Sequence, residues 1–403
     1  MRKLRICISC IEFPPDTGGV GESVKRIAGM LASLGHSVHV VVFHPKHRRD
    51  VSLAAIGRKG FVTTLQDDLT VHRFKHVVRS EDNTMQDYLS DVYVELGSLH
   101  ALEQFDVFHT FFLNEVSFLA TLFAKEVERP VIASVRGADL HRNVFNPKQF
   151  SQIKWVLENS DRLTFVSRAL EHRAQVLAPS IRGKTTAFWN SIAPLDFESL
   201  AAPELPRRGS GPVVAAFGNF RDKKGTDHLI WACAELADEL DLTLLLVGDF
   251  VAKEKPHWER LVEESGIGDR LIVTGRLPRE QALAYHNLVD IFVIPSIRDG
   301  CPNALLEAML ARKAILATGV DAIGEILSHE EDAVLIETAS AEELAAGIRR
   351  LGEDRELRAR LGEAARRKVR TRLAPEVELK NWLKVYESVT AGGIRPSAAG
   401  ALG

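Results

Sequence analysis

The feature that most constrains the fold is an alternation, along nearly the whole chain, of short apolar runs with helical patterns. Runs rich in β-branched residues lie before residue 200 at 4–9, 37–43, 106–110, 131–135 and 163–167, and after residue 210 at 212–218, 242–248, 270–275, 291–296 and 314–318. Nearly continuous apolar strands separated by helices are typical of parallel sheets covered on both faces. The chain is therefore predicted to have an α/β fold.

Length and one polar stretch predict two domains. A chain of 403 residues exceeds what one hydrophobic core usually supports. In LAAPELPRRGSGP, at 200–212, hydrophobic periodicity gives way to Pro, Gly, Ser and charge, as in a linker. We predict two Rossmann-like domains, a closing helix that packs back on the first domain, and a disordered tail; the bounds are 1–200, linker 201–212, 213–374, helix 375–390 and tail 391–403.

Composition excludes several classes of protein. Apolar residues make up 45% and charged residues 26% of the chain, and the net charge of −3 argues against a nucleic-acid partner for the whole molecule. The four cysteines do not make a disulfide framework, which favours a reducing compartment. The N-terminal apolar run is too short for a signal peptide, and no run of about 18 apolar residues predicts a membrane span. We expect a cytoplasmic protein.

Three glycines, Gly18, Gly19 and Gly21, lie between the first strand and the first long helix, in PPDTGGVGES. Glycines allow close backbone approach, and a helix start offers free N–H groups, so the stretch is suited to bind a phosphate. A plain glycine turn is equally compatible with it. A dinucleotide fingerprint fits poorly, because the third glycine position is Val24 and the second strand ends without an acidic residue placed for a ribose.

A basic loop follows the first strand of the second half, in FGNFRDKKGTDHLIWA at 217–232. Arg221, Lys223 and Lys224 lie there beside a helix start, and together they would neutralise a diphosphate. A solvated basic loop is the simpler interpretation. The place at the carboxyl end of a parallel strand favours a binding role, because open α/β sheets bind ligands at that edge.

A third stretch, RDGCPNALLEAML at 298–310, holds Asp299 before a helix and Glu307 within it. The apolar neighbours of Glu307 predict a largely buried helix, where a carboxylate needs hydrogen-bond donors or a basic partner. The two carboxylates can bind a ligand rich in hydroxyl groups. An internal salt bridge for Glu307 and a helix cap for Asp299 are equally consistent. Backbone amides would face outward at the helix start, near Gly300, Cys301 and Asn303.

From about residue 4 to 390, the chain resembles the retaining nucleotide-sugar glycosyltransferases of the GT-B fold, specifically glycosyltransferase family 4. PPDTGGVGESVKRIAGMLASLGHSVHVVV is similar to the family's glycine loop, first helix and second strand, and LLLVGDF, DRLIVTGRLP and YHNLVDIFVIPS follow in the family's order. DGCPNALLEAM is similar to its most specific motif, two glutamates separated by seven residues. The resemblance implies two Rossmann-like parallel-sheet domains that face a central cleft.

The resemblance implies a role for each matching residue in binding the donor. Glu307 would hold the ribose hydroxyls, and Asp299 would contact the sugar hydroxyls. Lys224 would bind the diphosphate. The remaining donor-binding groups would be the glycines of the opposite domain, the backbone that reads the base, and the amides at the helix start: Gly19, Gly21, Arg276, Leu277, Gly300, Cys301 and Asn303.

Three positions depart from the family pattern. Asp299 replaces the usual Glu, and Asn219 replaces an Arg, so that Arg221 would supply the missing charge. Arg136 stands where many relatives carry a His near the acceptor. On the acceptor side the resemblance also points to Asp139 in the stretch of Arg136, to Asn190 near the domain crossing, and to the strand residue His109, for which a structural role is the favoured alternative.

The implied activity is transfer of a hexose-type sugar from a UDP- or GDP-sugar to an unknown hydroxyl acceptor with retention of configuration. Lys224, with Arg221, would stabilise the leaving diphosphate, so that neither a metal nor another cofactor is expected. Asp299 and Asn219 leave open a non-catalytic scaffold that binds nucleotide sugars. A sugar-nucleotide epimerase or hydrolase of similar fold would need an acid/base pair that we cannot name in the sequence.

A basic bias distinguishes residues 44–79. Three aspartates oppose eight basic residues there: Lys46, Arg48, Arg49, Arg58, Lys59, Arg73, Lys75 and Arg79. Such a segment would attract a lipid-linked acceptor or an anionic membrane, and so place the protein at the inner face of the membrane. Solvated loops are the slightly favoured alternative.

Overall fold

The computed structural model describes residues 2–16, 18–43, 60–75, 84–205, 209–337 and 340–391. The described residues fold into two compact units. Unit 1 comprises Met1–Phe188 with Leu379–Gly403, and unit 2 comprises Trp189–Glu378.

Unit 1 alternates strands with helices, as the apolar runs predict. Its strands are β1 (Arg5–Cys10), β2 (Ser37–Val42), β3 (Gly60–Gln66), β4 (Leu69–Lys75), β5 (Val107–Phe111), β6 (Val131–Val135), β7 (Arg162–Phe165) and β8 (Thr185–Ala187). Its helices are α1 (Gly19–Ser33), α2 (Met85–Glu103), α3 (Glu115–Glu126), α4 (Ala138–His141), α5 (Pro147–Asn159) and α6 (Arg168–Leu177).

Among the described residues, the strands of unit 1 form one sheet in the order β3-β4-β2-β1-β5-β6-β7-β8. Neighbouring strands are parallel except β3 and β4, which form an antiparallel pair. Apolar side chains fill both faces of the sheet: Cys7 belongs to one core cluster and Ile6 and Ile8 belong to the other. β3 was not predicted, because most of its side chains are exposed and it lacks an apolar run.

Unit 2 repeats the alternation. Its strands are β9 (Val213–Phe220), β10 (Thr243–Phe250), β11 (Leu271–Val273), β12 (Ile291–Ile294), β13 (Ala314–Thr318) and β14 (Val334–Ile336). Its helices are α7 (Thr226–Leu240), α8 (Lys255–Ser265), α9 (Arg279–Ala284), α10 (Asn303–Leu310), α11 (Asp321–Ile326), α12 (Ala341–Glu353) and α13 (Arg355–Arg372).

In the described part of unit 2, the sheet order is β11-β10-β9-β12-β13-β14, and every pairing is parallel. The first strand, β9, therefore lies between β10 and β12, and the strand order reverses at this point. Ligands of open α/β sheets bind at the carboxyl ends of the strands beside such a reversal. The prediction of two α/β domains built on parallel sheets is confirmed, and the structure adds four strands that no predicted run covers: β3, β4, β8 and β14.

The boundary between the units differs from the predicted one. Unit 2 begins at Trp189 rather than after residue 200, because Trp189, Leu195 and Leu200 pack against its hydrophobic core. The predicted linker, 201–212, thus falls within unit 2, and its residues 206–208 lie outside the described residues. The predicted tail lies outside them as well, apart from Ala391.

The last helix, α14 (Pro375–Thr390), contributes to both units. Glu378 accepts a hydrogen bond from the backbone N–H of Ser191 within unit 2, at 2.9 Å. From Leu379 onward the helix belongs to unit 1, where Trp382 and Tyr386 are buried in the core beside β1 and α1. None of the described helices is long and apolar enough to cross a membrane.

Candidate active site

Two loops meet at the carboxyl edge of the second sheet, where the strand order reverses. One follows β9 and carries the predicted basic residues, and the other follows β12 and carries Asp299. The backbone N–H of Ile297 donates to the carbonyl of Lys223 at 3.0 Å, which joins the loops. Gly225 has φ of +61°, and a Cβ on it would lie 2.0 Å from the carbonyl oxygen of Pro295. Only glycine fits this contact, so the sequence fixes how closely the loops approach.

Asp299 is shared by two lysines. Its Oδ2 accepts a short hydrogen bond from Lys224 Nζ, and its Oδ1 lies 3.9 Å from Lys223 Nζ. The exposed fraction of the Asp299 side chain is 11%, and that of each lysine is 22%. We call these three residues the lysine–aspartate cluster. Two buried cations against one carboxylate leave an excess of positive charge at the sheet edge.

The pKa values of Asp299 and Lys223 are both lowered within the cluster. Burial alone would raise the pKa of Asp299, but the charges of Lys224 and Lys223 outweigh burial and lower the pKa to about 2. Burial lowers the pKa of Lys223; Asp299 opposes this fall, and Lys224, Arg221 and Arg298 add to it. Because two lysines face one buried carboxylate and two arginines act on Lys223 as well, the loop pair favours a ligand that carries more than one negative charge.

The backbone of the loop that carries Asp299 is held by hydrogen bonds to side chains. The N–H of Asp299 donates to Asp321 Oδ2, and the N–H of Gly300 donates to Asp299 Oδ1, each at 3.0 Å. The Gly300 amide is therefore committed to Asp299 in this structure, rather than free for a ligand as expected. Asn190 Nδ2 donates to the carbonyl of Cys301 at 3.0 Å and to Asn303 Oδ1 at 3.4 Å. Asn190 thus fixes the start of α10 within unit 2, and the expected acceptor-side role does not explain these contacts.

Glu307 lies in the second turn of α10, where Leu305, Leu306 and Met309 are buried. Its Oε1 is 2.7 Å from Nη2 of Arg279, the first residue of α9. The exposed fraction is 12% for the Glu307 side chain and 46% for that of Arg279. The salt bridge that sequence analysis left open is thus present, and its arginine faces solvent with nearly half of its surface.

The other predicted donor-binding residues of unit 2 lie at the end of β9 and in the segments that follow β9 and β11. Asn219 lies at the end of β9, opposite Asp249 of β10. Arg221 Nε is buried and has no hydrogen-bond partner among the described residues. After β11, Arg276 is exposed and Leu277 packs against the core. Asn219 lacks the charge of the family's arginine, and Lys223, whose Nζ lies 3.9 Å from Asp299 Oδ1, supplies a second cation beside Lys224.

In unit 1, the predicted glycine loop leads into α1. Gly19 is exposed at the first position of the helix, and its carbonyl accepts from Ser23 Oγ at 2.9 Å. The N–H of Gly21 donates to Glu12 Oε1 at 3.2 Å. A carboxylate therefore already lies at this helix start, and an incoming phosphate would have to replace it to use the Gly21 amide.

Arg136 and Asp139 follow β6. The guanidinium of Arg136 lies 5.7 Å from the ring centre of Phe111. Asp139 is fully buried and accepts from the backbone N–H groups of Arg136 and Gly137, at 3.0 and 2.7 Å, and from those of Leu113 and Leu140. Burial raises the pKa of Asp139, and these four hydrogen bonds oppose the rise. Asp139 thus shapes the loop that carries Arg136, and its burial does not fit direct contact with an acceptor.

His109 has a structural role, the alternative favoured from the sequence, instead of the acceptor-side role. Its side chain is fully buried in β5, with Nδ1 2.9 Å from the hydroxyl of Tyr386 and Nε2 2.7 Å from that of Ser134. Burial, with a smaller effect of Arg136, lowers the pKa of His109 to about 3. Because both ring nitrogens are occupied within unit 1, His109 fastens α14 to the sheet instead of facing a ligand.

More than half of the basic segment, 44–79, lies outside the described residues. Of its eight basic residues, only Arg73 and Lys75 are described, and both lie in β4. Arg73 pairs with Asp16 at 3.0 Å and donates to the carbonyls of Phe13 and Pro14, each at 2.7 Å. It therefore clamps the loop before α1 and is not available to a membrane. Lys75 is not free either.

Sequence reasoning did not identify Arg279 and did not single out Lys223 from its loop. Arg279 lies in a different helix from Glu307, and no local pattern signals a contact between helices. Lys223 had a signal, because two consecutive lysines precede Gly225. Within the described residues, no three His, Cys, Asp or Glu side chains cluster so as to hold a metal ion.

Two family models match the chain. The model described as Glycosyltransferase Family 4 matches residues 17–190, and the one described as Glycosyl transferases group 1 matches residues 200–368. Each covers somewhat less than half of the chain, and together they cover most of it. The second match contains the lysine–aspartate cluster and Glu307.

Curated relatives carry related descriptions. N-acetyl-alpha-D-glucosaminyl L-malate synthase of Bacillus anthracis is 23% identical over 96% of this chain and 97% of its own length. 2-Deoxystreptamine glucosyltransferase of Streptomyces kanamyceticus is 33% identical, but the match spans only 37% of this chain and 38% of that protein.

Solved structures share the fold along nearly the whole chain. Sucrose-phosphate synthase from Thermosynechococcus elongatus has a TM-score of 0.78 at 19% identity, covering 97% of this chain and 100% of that one. Anabaena Alr3699/HepE in complex with UDP-glucose has a TM-score of 0.73 at 16% identity, covering 96% and 100%. With both family models matched in order and this fold in both units, the chain belongs to the family 4-like glycosyltransferases of GT-B fold.

Proposed function

We propose that the protein transfers a hexose-type sugar from a UDP- or GDP-sugar to a hydroxyl acceptor, with retention of configuration. The observation that carries the proposal is the lysine–aspartate cluster at the strand-order reversal of unit 2. Its excess positive charge suits a nucleoside diphosphate, which leaves as a dianion or trianion when the sugar is transferred. The solved relative in complex with UDP-glucose supports the choice of donor class.

In the proposed reaction the chain supplies charge and position. Lys224 and Lys223 bind the diphosphate and stabilise it as the bond between the sugar and the β-phosphate breaks. Asp299 exchanges part of its contact with Lys224 for a sugar hydroxyl. Arg221, whose buried Nε needs an acceptor, adds a further cation. The departing phosphate accepts the proton of the acceptor hydroxyl, so that the reaction requires neither a protein base nor a bound metal ion.

One relative that matches 96% of the chain is described as an N-acetyl-alpha-D-glucosaminyl L-malate synthase, whose named product is a small-molecule glycoside. Arg136, at the carboxyl end of β6, is the residue of unit 1 that we propose to contact the acceptor. We place the reaction in the cytoplasm, and an acceptor held at an anionic membrane face is included in the proposal.

The experiment incubates the protein with UDP-glucose, UDP-N-acetylglucosamine and GDP-mannose, with and without a panel of hydroxyl acceptors and with EDTA in parallel. Release of nucleotide that depends on acceptor and is indifferent to EDTA is the expected result, and proton NMR of the anomeric centre should show retention. Inverted product would contradict the retaining mechanism. Nucleotide release without any acceptor would indicate a hydrolase, and donor binding without turnover would indicate a scaffold.

A further inference from the structure

A buried carboxylate on α10 requires a partner even when no donor is bound. Glu307 is 9% exposed, and its neighbours along the helix are apolar. A buried charge without a partner is strongly destabilising, and the ion pair with Arg279 at 2.7 Å stabilises the Glu307 carboxylate. The carboxylate must also keep its orientation, since a hydrogen bond from a ribose hydroxyl weakens steeply when its angle is poor.

Arg279 projects from a loop with a fixed backbone. After β11, the N–H of Thr274 donates to the carbonyl of Leu246 at 3.1 Å, and Thr274 Oγ1 accepts from the N–H of Gly248 at 3.0 Å. These bonds fasten the loop to the end of β10. The N–H of Ala282 then donates to the carbonyl of Pro278 at 3.0 Å and starts α9. The guanidinium of Arg279 therefore extends to Glu307 from a segment whose backbone is held by hydrogen bonds.

We infer that Arg279 is a positioning residue, whose ion pair orients Glu307 so that the carboxylate selects nucleotides with an intact ribose. This inference rests on the proposed function, because it takes the group that Glu307 binds to be the ribose of the donor. Arg279 is half exposed, so its removal does not open a cavity in the core. Arg279 acts on the nucleotide through the Glu307 carboxylate, so its role is measured by the preference for ribonucleotides over their deoxy analogues.

The effect should be a loss of discrimination rather than a general loss of binding. A hydrogen bond from a ribose hydroxyl to a charged carboxylate accounts for about a tenfold difference in affinity or more. The wild-type protein should therefore prefer a ribonucleotide over at least one of its 2′-deoxy and 3′-deoxy analogues by about tenfold or more. In Arg279→Gln the preference should fall to within about threefold, because the Glu307 carboxylate loses the ion pair that orients it. Arg279→Lys keeps the positive charge and should restore part of the preference.

The test measures dissociation constants by isothermal titration of UDP, GDP and their 2′-deoxy and 3′-deoxy analogues. The proteins are the wild type, Arg279→Gln, Arg279→Lys and Glu307→Gln. Arg260→Gln is the matched control, because Arg260 is an exposed arginine of α8 that donates to the carbonyl of Pro256 in its own helix. The control should behave as the wild type does.

Loss of discrimination in both Glu307→Gln and Arg279→Gln, with recovery in Arg279→Lys, would support the inference. Full discrimination in Arg279→Gln together with its loss in Glu307→Gln would overturn it and leave the proposed function intact. Full discrimination in Glu307→Gln would overturn the ribose-binding role of Glu307, and the inference with it. If the wild type bound none of the nucleotides, the proposed function itself would fail.

Discussion

Replacing Asp299 by Asn separates the contribution of the lysine–aspartate cluster to folding stability from its contribution to diphosphate binding. The substitution keeps the shape of the side chain but removes the charge that Lys224 and Lys223 share. Lowering the Asp299 pKa from 3.8 to about 2 corresponds to about 2 kcal/mol of stabilisation of the folded state. Asp299 is nearly buried, so little of this is lost to solvent screening. Asp299→Asn should therefore lower the free energy of unfolding by about 2 kcal/mol at pH 7.

Binding should respond in the opposite direction. Without the carboxylate, the two lysines keep their full charge for a diphosphate, so UDP or GDP should bind Asp299→Asn at least as tightly as the wild type. Transfer of the sugar should fall, because a hydroxyl contact is lost. Urea unfolding followed by tryptophan fluorescence measures the first effect, and isothermal titration with the free nucleotide measures the second.

The dependence on pH gives a further check of the same variant. A carboxyl group whose folded-state pKa is depressed stabilises the protein above its unfolded pKa, and this contribution is lost as the pH falls through the folded pKa. The difference in stability between wild type and Asp299→Asn should thus persist above pH 4 and diminish as the pH falls from 3.8 toward 2. Equal stability at pH 7, or nucleotide binding weakened more than tenfold, would refute this account of Asp299.

Three further substitutions test other parts of the structure. Arg73→Met should lower the unfolding free energy by about 3 kcal/mol in urea titrations, because it leaves Asp16 without its buried cation; an unchanged midpoint would contradict the clamp. Gly225→Ala should cost at least 2 kcal/mol, roughly, and weaken UDP binding, whereas Gly266→Ala, with φ of +69° and open space, should cost only about 1 kcal/mol and leave binding unchanged. Burial, with a smaller effect of Lys313, lowers the pKa of His286 to about 3. The unfolded chain therefore binds a proton at this histidine before the folded chain does, and wild-type stability should fall as the pH falls from 6.5 to 3. His286→Phe should reduce that fall, and identical pH profiles of the two proteins would contradict this.

Much of the fold was predictable because buried parallel strands leave a strong apolar signal. The strands of the second sheet from β9 to β13 coincide with apolar runs in the sequence. β3 carries no such signal, because its mostly exposed side chains follow no apolar pattern. The unit boundary was misplaced for a related reason: Trp189 and Leu195 pack on the second core although no regular element contains them. Periodicity does not report such contacts.

The site was predictable where chemistry is local in sequence. Asp299 and Glu307 stood out because acidic residues flank and enter an apolar helix, and the paired lysines stood out beside Gly225. Contacts across elements were not predictable. His109 is a buried hydrogen-bonding residue only because α14 returns Tyr386 to it, and Arg279 reaches Glu307 from another helix. The roles of these residues follow from tertiary contacts that the sequence does not encode locally.

The central claim is that the lysine–aspartate cluster binds the diphosphate of the donor. The most direct measurement is isothermal titration of UDP and GDP, in EDTA, into the wild type, Lys224→Met and Lys154→Met, where Lys154 is a half-exposed lysine paired with Glu158 on α5. The account predicts that Lys224→Met weakens binding on the order of tenfold or more, and that Lys154→Met does not alter it. Equal affinity in all three proteins, or binding by the wild type that EDTA abolishes, would contradict it.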